Sequence, residues 1–227
     1  MTSAGSRAQP RSNMRVVITG ASRGIGLACA KKYLKMGHEV YGIDIRPAGL
    51  EDACYHHFVA DITGALPEIE GVEILVNNAG VQEGGREIEV NLQGTIAVTE
   101  RYGIQPAIRS ILFMASSSAS NGAEFPLYAA SKGGMVTYMK NVALRIAQYD
   151  ATSNSLSAGG VRTELNQHIL DSPELMQQVL DETLLKRWAE PEEIAEFCYF
   201  MTNVNRSMTG QDILVDNGEQ LKSNFIW

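Results

Sequence analysis

Thr-Gly-Ala-Ser-Arg-Gly-Ile-Gly, residues 19–26, is the stretch of sequence that decides the fold. The run just before it, Arg15–Ile18, is apolar and β-branched after its first residue, which is typical of a buried strand. The run just after it, Leu27–Leu34, has apolar residues at helical spacing. The three glycines therefore lie on a tight turn that leads from a strand into a helix.

This glycine turn is suited to binding an anion. Gly20 can adopt backbone angles that a side chain would forbid, Gly24 lets a ligand approach the main chain, and Gly26 lets the helix pack close to the strand. Unpaired N–H groups and the positive end of the helix dipole then face outward together, as a pyrophosphate requires. With the acidic residue Asp44 at the end of the next strand, the pattern predicts a dinucleotide site.

Strands and helices alternate along the rest of the chain. We expect strands over Arg15–Thr19, Glu39–Asp44, Tyr55–Ala60, Glu73–Asn77, Ser110–Ala115, Ala151–Ser155 and Asp212–Val215. We expect helices over Gly24–Met36, Val90–Tyr102, Tyr128–Gln148 and Glu192–Thr202, and a helical region over Glu164–Leu185. This order predicts an α/β fold: a doubly wound (Rossmann) parallel sheet of about seven strands, with helices on both faces in three α/β/α layers.

Length and charge narrow the classes of protein. The chain has 227 residues, which suits one domain over residues 14–227, preceded by a flexible tail over residues 1–13. A net charge of −7 disfavours binding to nucleic acid or to an anionic membrane surface. No apolar run approaches the ~20 residues that a membrane-spanning helix needs.

Cysteine usage indicates a reducing compartment. The three cysteines are Cys29, Cys54 and Cys198. They form neither a metal-binding spacing nor a disulfide framework, so we expect buried free thiols and a cytoplasmic location. The four histidines show no ligand spacing either, and we expect no metal site.

Asp44 bears on the choice of cofactor. A carboxylate at this strand end accepts hydrogen bonds from the ribose hydroxyls of adenosine and repels a 2′-phosphate, which favours NAD over NADP. Arg23 and Arg46 favour the opposite choice, because a guanidinium pairs well with phosphate. Asp61 follows the third strand, where it accepts a hydrogen bond either from the adenine amino group or from a turn of its own backbone.

Tyr128 and Lys132 supply the chemistry. Four residues apart on a helix, they share one face. A phenol with a pKa near ~10 is a poor acid or base at neutral pH, and a nearby ammonium lowers that pKa, which suits proton exchange with an alcohol–ketone pair. Taken alone, such a pair is more often an exposed helical contact. The cluster Ser116–Ser118 ends the fifth strand and can hold a substrate oxygen or form a polar turn.

Together these motifs resemble the short-chain dehydrogenase/reductase (SDR) family. The matching segments are Thr19–Gly26, Asn77–Gly80, Val90–Asn91, the serine cluster, Tyr128–Lys132, Gly159–Thr163, Arg187–Ala195 and Thr209–Asp216. They occur in the family's order over nearly all of residues 14–220. Ala158-Gly159 stands where the family usually has Pro-Gly, which removes no catalytic group.

The resemblance implies catalytic roles for four residues. Tyr128 is the general acid/base, Lys132 lowers its pKa and holds the nicotinamide ribose, and Asn91 supports a water-linked proton relay to Lys132. Ser116 orients the substrate oxygen, although alignment of the following Ser-Ala-Ser gives Ser117 instead.

The resemblance also implies the cofactor contacts. These are Gly20, Ser22, Arg23, Gly24, Ile25, Gly26, Asp44, Asp61, Ile62, Asn78, Ala79, Gly80, Tyr128, Lys132, Val161 and Thr163. A substrate lid is expected near residues 164–186, where leucine, isoleucine, methionine and valine recur at helical spacing.

The resemblance thus implies an NAD(P)-dependent oxidoreductase, with NAD favoured and NADP as the alternative, that interconverts a small-molecule secondary alcohol and its ketone. Two other functions use the same fold: a non-catalytic dinucleotide sensor, and an epimerase or dehydratase with the same cofactor. Family members assemble through a helix that the short segment between Asn78 and Asn91 curtails, so both a homodimer and a homotetramer are consistent with the sequence.

Overall fold

A computed structural model describes residues 13–123 and 125–221 of the chain. The predicted tail therefore lies outside the described residues, apart from Asn13. The strands are β1 (Arg15–Thr19), β2 (Glu39–Asp44), β3 (Tyr55–Val59), β4 (Ile74–Asn77), β5 (Ser110–Ser116), β6 (Thr152–Ala158) and β7 (Asp212–Val215). The α-helices are α1 (Gly24–Lys35), α2 (Thr95–Tyr102), α3 (Ser118–Asn121), α4 (Pro126–Ile146), α5 (Gln167–Leu170), α6 (Pro173–Glu182) and α7 (Pro191–Tyr199).

The seven strands form one parallel sheet in the order β3-β2-β1-β4-β5-β6-β7. Strand β1 pairs with β2 through Thr19 opposite Ile43, and with β4 through Ile18 opposite Val76. The strand order reverses between β1 and β4, which is where open α/β sheets bind ligands at their carboxyl edge. The prediction of a doubly wound parallel sheet of about seven strands is confirmed.

Helices cover both faces of the sheet, and successive side chains of β1 are buried on alternate faces. Val16 and Ile18 join one apolar cluster with residues of α1 and α7. Val17 joins the other cluster with residues of α2 and α4. Fully buried strands of this kind read as continuous apolar runs, which is why Arg15–Ile18 could be recognised from the sequence.

Helical regions differ most from their predicted forms at two places. The helix predicted over Val90–Tyr102 begins earlier, as a π-helical turn over Ile88–Gly94 that continues into α2. The region predicted over Glu164–Leu185 is broken into a 3₁₀ turn (Glu164–Asn166) and the helices α5 and α6. Pro173 starts α6 and cannot continue α5, which explains the break.

The expectation for the cysteines is wrong at one position. Cys29 and Cys198 are buried, but Cys54 is exposed because it lies in the turn that leads into β3, outside both clusters. Within residues 13–123 and 125–221, no helix combines the length and the apolar character needed to cross a membrane. Over the same residues, no three His, Cys, Asp or Glu side chains are grouped to hold a metal ion.

Candidate active site

A cavity of about 670 Å³ opens at the carboxyl edge of the sheet. Residues at or just beyond the ends of five strands line it: Gly20 (β1), Asp44 (β2), Asn78 (β4), Ser116 (β5) and Ala158 (β6). Its volume lies within the range of small-molecule and cofactor sites, and it lies where the strand order reverses. The sheet therefore brings side chains that are far apart in sequence into one wall.

The glycine turn forms the floor of this cavity. Gly20 has φ 69°, in the left-handed region that favours glycine. A Cβ on Gly26 would overlap the carbonyl oxygen of Gly20, so the close packing of helix on turn requires glycine there. Asn78 Nδ2 donates to the carbonyls of Thr19 (3.0 Å) and Gly20 (3.1 Å), which fixes the turn against the end of β4.

The N-terminus of α1 is left available for an anion. Within α1, which the structure describes in full, no acidic residue occupies the first turn, and the N-cap residue Arg23 makes no side-chain capping hydrogen bond. Arg23, Gly24 and Ile25 all line the cavity. Backbone N–H groups and the positive end of the helix dipole can therefore act together on a phosphate group there.

Asp44 is held in a fixed orientation beside this turn. It is 9% exposed and lines the cavity. The backbone N–H of Ser22 donates to Oδ2 at 3.0 Å, and the backbone N–H of Arg46 donates to Oδ1 at 3.0 Å. Ser22 thus lies behind the cavity wall and orients Asp44 rather than lining the cavity itself.

Of the two roles that the sequence left open for Asp61, the structure shows the turn of its own backbone. Its Oδ1 accepts from the N–H (2.9 Å) and the hydroxyl (2.8 Å) of Thr63, so it does anchor a turn. These bonds, and Arg86 3.5 Å from Oδ2, lower the pKa of Asp61 and keep it charged. Asp61, Ile62 and Arg86 also line the cavity.

Lys132 and Tyr128 meet in the wall between β5 and α4. Lys132 is 4% exposed, its Nζ donates to the carbonyl of Met114 at 2.7 Å, and it lies 5.6 Å from the centroid of the Tyr128 ring. Burial lowers the pKa of Lys132 to about 8. A positive charge thus adjoins a phenol at the cavity, the arrangement that favours the phenolate form.

Asn91 lies directly behind this pair. Its Nδ2 donates to the Val81 carbonyl (2.8 Å) and to Ser131 Oγ (3.0 Å), and its Oδ1 accepts from the Val81 N–H (2.8 Å). Ser131 Oγ in turn donates to the Tyr128 carbonyl at 2.7 Å. Asn91 lies on the π-helical turn Ile88–Gly94. Its side chain therefore connects the segment after β4 to the helix that bears Tyr128.

The two candidate serines occupy different positions. Ser116 lines the cavity, and its Oγ accepts from the N–H (3.3 Å) and the hydroxyl (3.0 Å) of Ser118. Ser117 is buried at the start of α3, and its carbonyl accepts from Gln220 Nε2 at 2.8 Å. A serine that accepts two hydrogen bonds keeps its own hydroxyl proton available for a further acceptor.

The far end of the cavity is formed by residues between positions 161 and 188 and by the segment after β7. Residues there are Val161, Thr163, Glu164, Leu165, Asn166, His168, Ile169, Val179, Glu182, Trp188 and Glu219. Burial, reinforced by the neighbouring charge of Asp216, raises the pKa of Glu219. This end is therefore a mixture of apolar surface and carboxylates, enclosed by the ring of Trp188.

Most of the predicted site residues come together around the cavity. In the part of the chain that the structure describes, Ser22, Gly26 and Asn91 support the wall without lining it. The sequence reasoning missed Arg86, Trp188 and Glu219. Arg86 had no periodic pattern around it, and Glu219 lies beyond the last strand, so the sequence offered no signal that either faces the site.

Two family models and several known proteins match this chain. The family model described as "Enoyl-(Acyl carrier protein) reductase" matches residues 52–220, and the model described as "short chain dehydrogenase" matches residues 14–65. The chain is 28% identical over 240 residues to a cyclopentanol dehydrogenase of Comamonas testosteroni, covering 89% of this chain and 95% of that protein. It is 30% identical over 235 residues to a galactitol 2-dehydrogenase (L-tagatose-forming) of Cereibacter sphaeroides, covering 88% and 92%.

A solved structure shares the fold. The ligand-free aldohexose dehydrogenase of Thermoplasma acidophilum superposes with a TM-score of 0.83 at 23% identity, over 95% of this chain and 97% of that one. At this identity the likeness shows a common architecture.

Proposed function

Because this chain belongs to the short-chain dehydrogenase/reductase family, and is thereby an oxidoreductase acting on a CH–OH group, we propose that it interconverts a secondary alcohol and a ketone with NAD as the cofactor. One observation carries the proposal: Lys132 Nζ lies 5.6 Å from the ring centroid of Tyr128, in the wall of the cavity that the glycine turn floors. The relative that acts on cyclopentanol acts on a secondary alcohol, which supports the same class here.

The residues present fit a dinucleotide. We propose that the pyrophosphate binds at the N-terminus of α1, where the overlap of a Cβ on Gly26 with Gly20 shows how tightly the cradle is built. The adenosine ribose is held by Asp44, the adenine by Asp61, and the nicotinamide end by Val161 and its neighbour Thr163. When bound, NAD supplies the hydride acceptor or donor.

Tyr128 moves the proton in this proposal. Its hydroxyl donates a proton to the carbonyl oxygen of the ketone in reduction and becomes a phenolate, and in oxidation the phenolate removes a proton from the alcohol and becomes the phenol again. The Lys132 ammonium favours the phenolate, and Ser116 Oγ donates a hydrogen bond to the same substrate oxygen. Asn91 donates both of its amide protons, to Val81 and to Ser131, and thereby keeps the tyrosine-bearing helix in register with the cavity.

The preference for NAD follows from Asp44. Its carboxylate is nearly buried and held by two backbone N–H groups, so it cannot swing away from a 2′-phosphate at little cost. Arg23 and Arg46 also line the cavity and attract phosphate, yet among the described residues neither guanidinium forms an ion pair with Asp44, which Arg46 contacts through its backbone N–H. Repulsion by the fixed carboxylate therefore disfavours NADP.

A panel of secondary alcohols and ketones, each run with NAD and with NADP, tests the proposal. We expect at least one cyclic or polyhydroxylated secondary alcohol to reduce NAD to NADH, detected by the absorbance of reduced nicotinamide. Binding of NAD without reduction by any alcohol would favour a sensor, and product formation without net change in the cofactor would favour an epimerase or dehydratase. Either outcome contradicts the proposal.

A further inference from the structure

The loop that follows β2 forms the wall next to Asp44, and Arg46 is its best-anchored residue. The Arg46 N–H donates to Asp44 Oδ1 at 3.0 Å. The Arg46 carbonyl accepts from two side chains, Ser22 Oγ at 3.2 Å and His57 Nε2 at 2.8 Å. The backbone at Arg46 is therefore fixed from the glycine turn, from β2 and from β3 at once.

The carbonyl partner determines the tautomer of His57. A carbonyl oxygen can only accept, so Nε2 carries the proton. In the neutral ring Nδ1 is then unprotonated, and it accepts from the hydroxyl of Tyr55 at 2.9 Å. The two side chains thus form a directed chain of hydrogen bonds that runs from Tyr55 through His57 to Arg46.

The Tyr55 hydroxyl occupies the space beside Gly42 of β2 that a side chain would otherwise fill. A Cβ on Gly42 would overlap the Tyr55 hydroxyl, and Ala21 of the glycine turn lies on the same side, its Cβ 3.0 Å from that position. Burial raises the pKa of Tyr55 to about 12, with a smaller contribution from Asp44, so the hydroxyl keeps its proton and donates it. The donor at the start of the chain is therefore rigid and always protonated at physiological pH.

We propose that Tyr55 and His57 are positioning residues for the adenosine end of the cofactor. Neither lines the cavity among the described residues, and both act through Arg46, whose N–H sets the direction of the Asp44 carboxylate. This inference rests on the proposed function, since it assigns to Asp44 the role of binding a dinucleotide. It adds that β3 determines the orientation of the Asp44 carboxylate, although Tyr55 and His57 do not themselves bind the cofactor.

His57→Ala tests the inference through the binding of NAD. The substitution removes both hydrogen bonds of His57, and loss of the neutral one to the Arg46 carbonyl should raise the Kd for NAD about fivefold. The kcat at saturating NAD should stay at the wild-type value, because the tyrosine–lysine pair lies elsewhere in the cavity. His57→Gln should restore most of the affinity, because a glutamine amide can reach the same carbonyl.

His56→Ala is the matched control. His56 neighbours His57 in β3 but points to the other side of the sheet, where it contacts Glu39 at 3.1 Å. It should leave the Kd unchanged. Tyr55→Phe keeps the ring in its place and removes the hydroxyl, so it tests the same chain even where His57→Ala fails to fold; it should raise the Kd, and the double variant should add little to the effect of His57→Ala.

The outcomes separate the two claims. If the wild-type protein binds neither NAD nor NADP, the proposed function fails and this inference fails with it. If the wild-type protein binds NAD but His57→Ala and Tyr55→Phe bind it equally well, the inference alone is overturned. It is overturned as well if His57→Gln restores nothing, or if His56→Ala weakens binding to the same extent.

Discussion

Lys132→Met should stabilise the unliganded protein while it abolishes turnover. Lys132 is 4% exposed, and its Nζ donates to the uncharged Met114 carbonyl at 2.7 Å. Among the described residues this ammonium forms no ion pair with a carboxylate, so the loss of its hydration on burial is unfavourable. Methionine has a similar length and flexibility and fills the same space without the charge.

The magnitude follows from the pKa of Lys132. Burial lowers this pKa from 10.5 to about 8. At about 1.4 kcal/mol per pKa unit, the difference of about 2.5 units corresponds to about 3 kcal/mol of lost stability at neutral pH. Removing the ammonium also removes its hydrogen bond to Met114, which offsets about 2 kcal/mol. We therefore expect Lys132→Met to raise the free energy of unfolding by about 1 kcal/mol at pH 7.

The pH dependence has a definite sign. Below pH 8 the lysine is protonated in both the folded and the unfolded states, so it adds no slope. Between pH 8 and 10.5 the unfolded chain holds a proton that the native protein has released, so this group makes stability rise with pH. The advantage of Lys132→Met over the wild type should therefore disappear between about pH 8 and pH 9, and at pH 9.5 the wild type should be the more stable protein.

Urea denaturation of both proteins at pH 7 and at pH 9.5 measures these differences. Lys140→Met is the matched control, since Lys140 is exposed on the same helix and its replacement should change stability little at either pH. A Lys132→Met protein that is less stable than the wild type at pH 7, with the same difference at pH 9.5, would refute the reasoning.

Three further predictions follow from single contacts. Gly26→Ala should lower the free energy of unfolding by about 3 kcal/mol, because its Cβ would overlap the Gly20 carbonyl. Gly133→Ala in α4 is the control and should be neutral or stabilising in the same urea denaturation, because its Cβ would lie 3.6 Å from the nearest atom, the Ala119 carbonyl oxygen. Asp44→Asn should raise the ratio of kcat/KM for NADP to that for NAD about tenfold, measured with one alcohol and both cofactors; an unchanged ratio would contradict the role of its charge. His38 is buried and burial lowers its pKa from 6.5, so the unfolded state gains a proton below pH 6.5 and the protein becomes less stable there. The urea midpoint of His38→Gln should therefore fall less between pH 7 and pH 5 than that of the wild type, and an identical fall would contradict this role of His38.

Local sequence patterns determined most of the fold. Arg15–Thr19 was predictable because a strand buried on both faces is continuously apolar, and the strand ends at Asp44 and Val215 follow from the polar residues and turns beyond them. The parallel sheet with helices on both faces followed from the alternation of strands and helices along the chain.

Features set by long-range packing could not be predicted. The π-helical turn Ile88–Gly94 inserts one residue into an otherwise ordinary helical pattern, and what stabilises it is the contact of Asn91 with Val81 and Ser131. Cys54 has apolar neighbours in sequence, but the folded chain places it in an exposed turn. Arg86 faces the cavity because Glu89 and Asp61 fix its guanidinium, contacts that periodicity does not reveal.

We propose that Tyr128 moves the proton in a cavity whose glycine turn binds the dinucleotide, and that this binding does not depend on the Tyr128 hydroxyl. Tyr128→Phe tests it most directly, with kcat measured on the best alcohol of the panel and the Kd for NADH measured by fluorescence on the same sample. We predict that kcat falls about 10³-fold while the Kd stays at the wild-type value. A variant that retains its turnover, or that loses NADH binding together with turnover, would contradict the account.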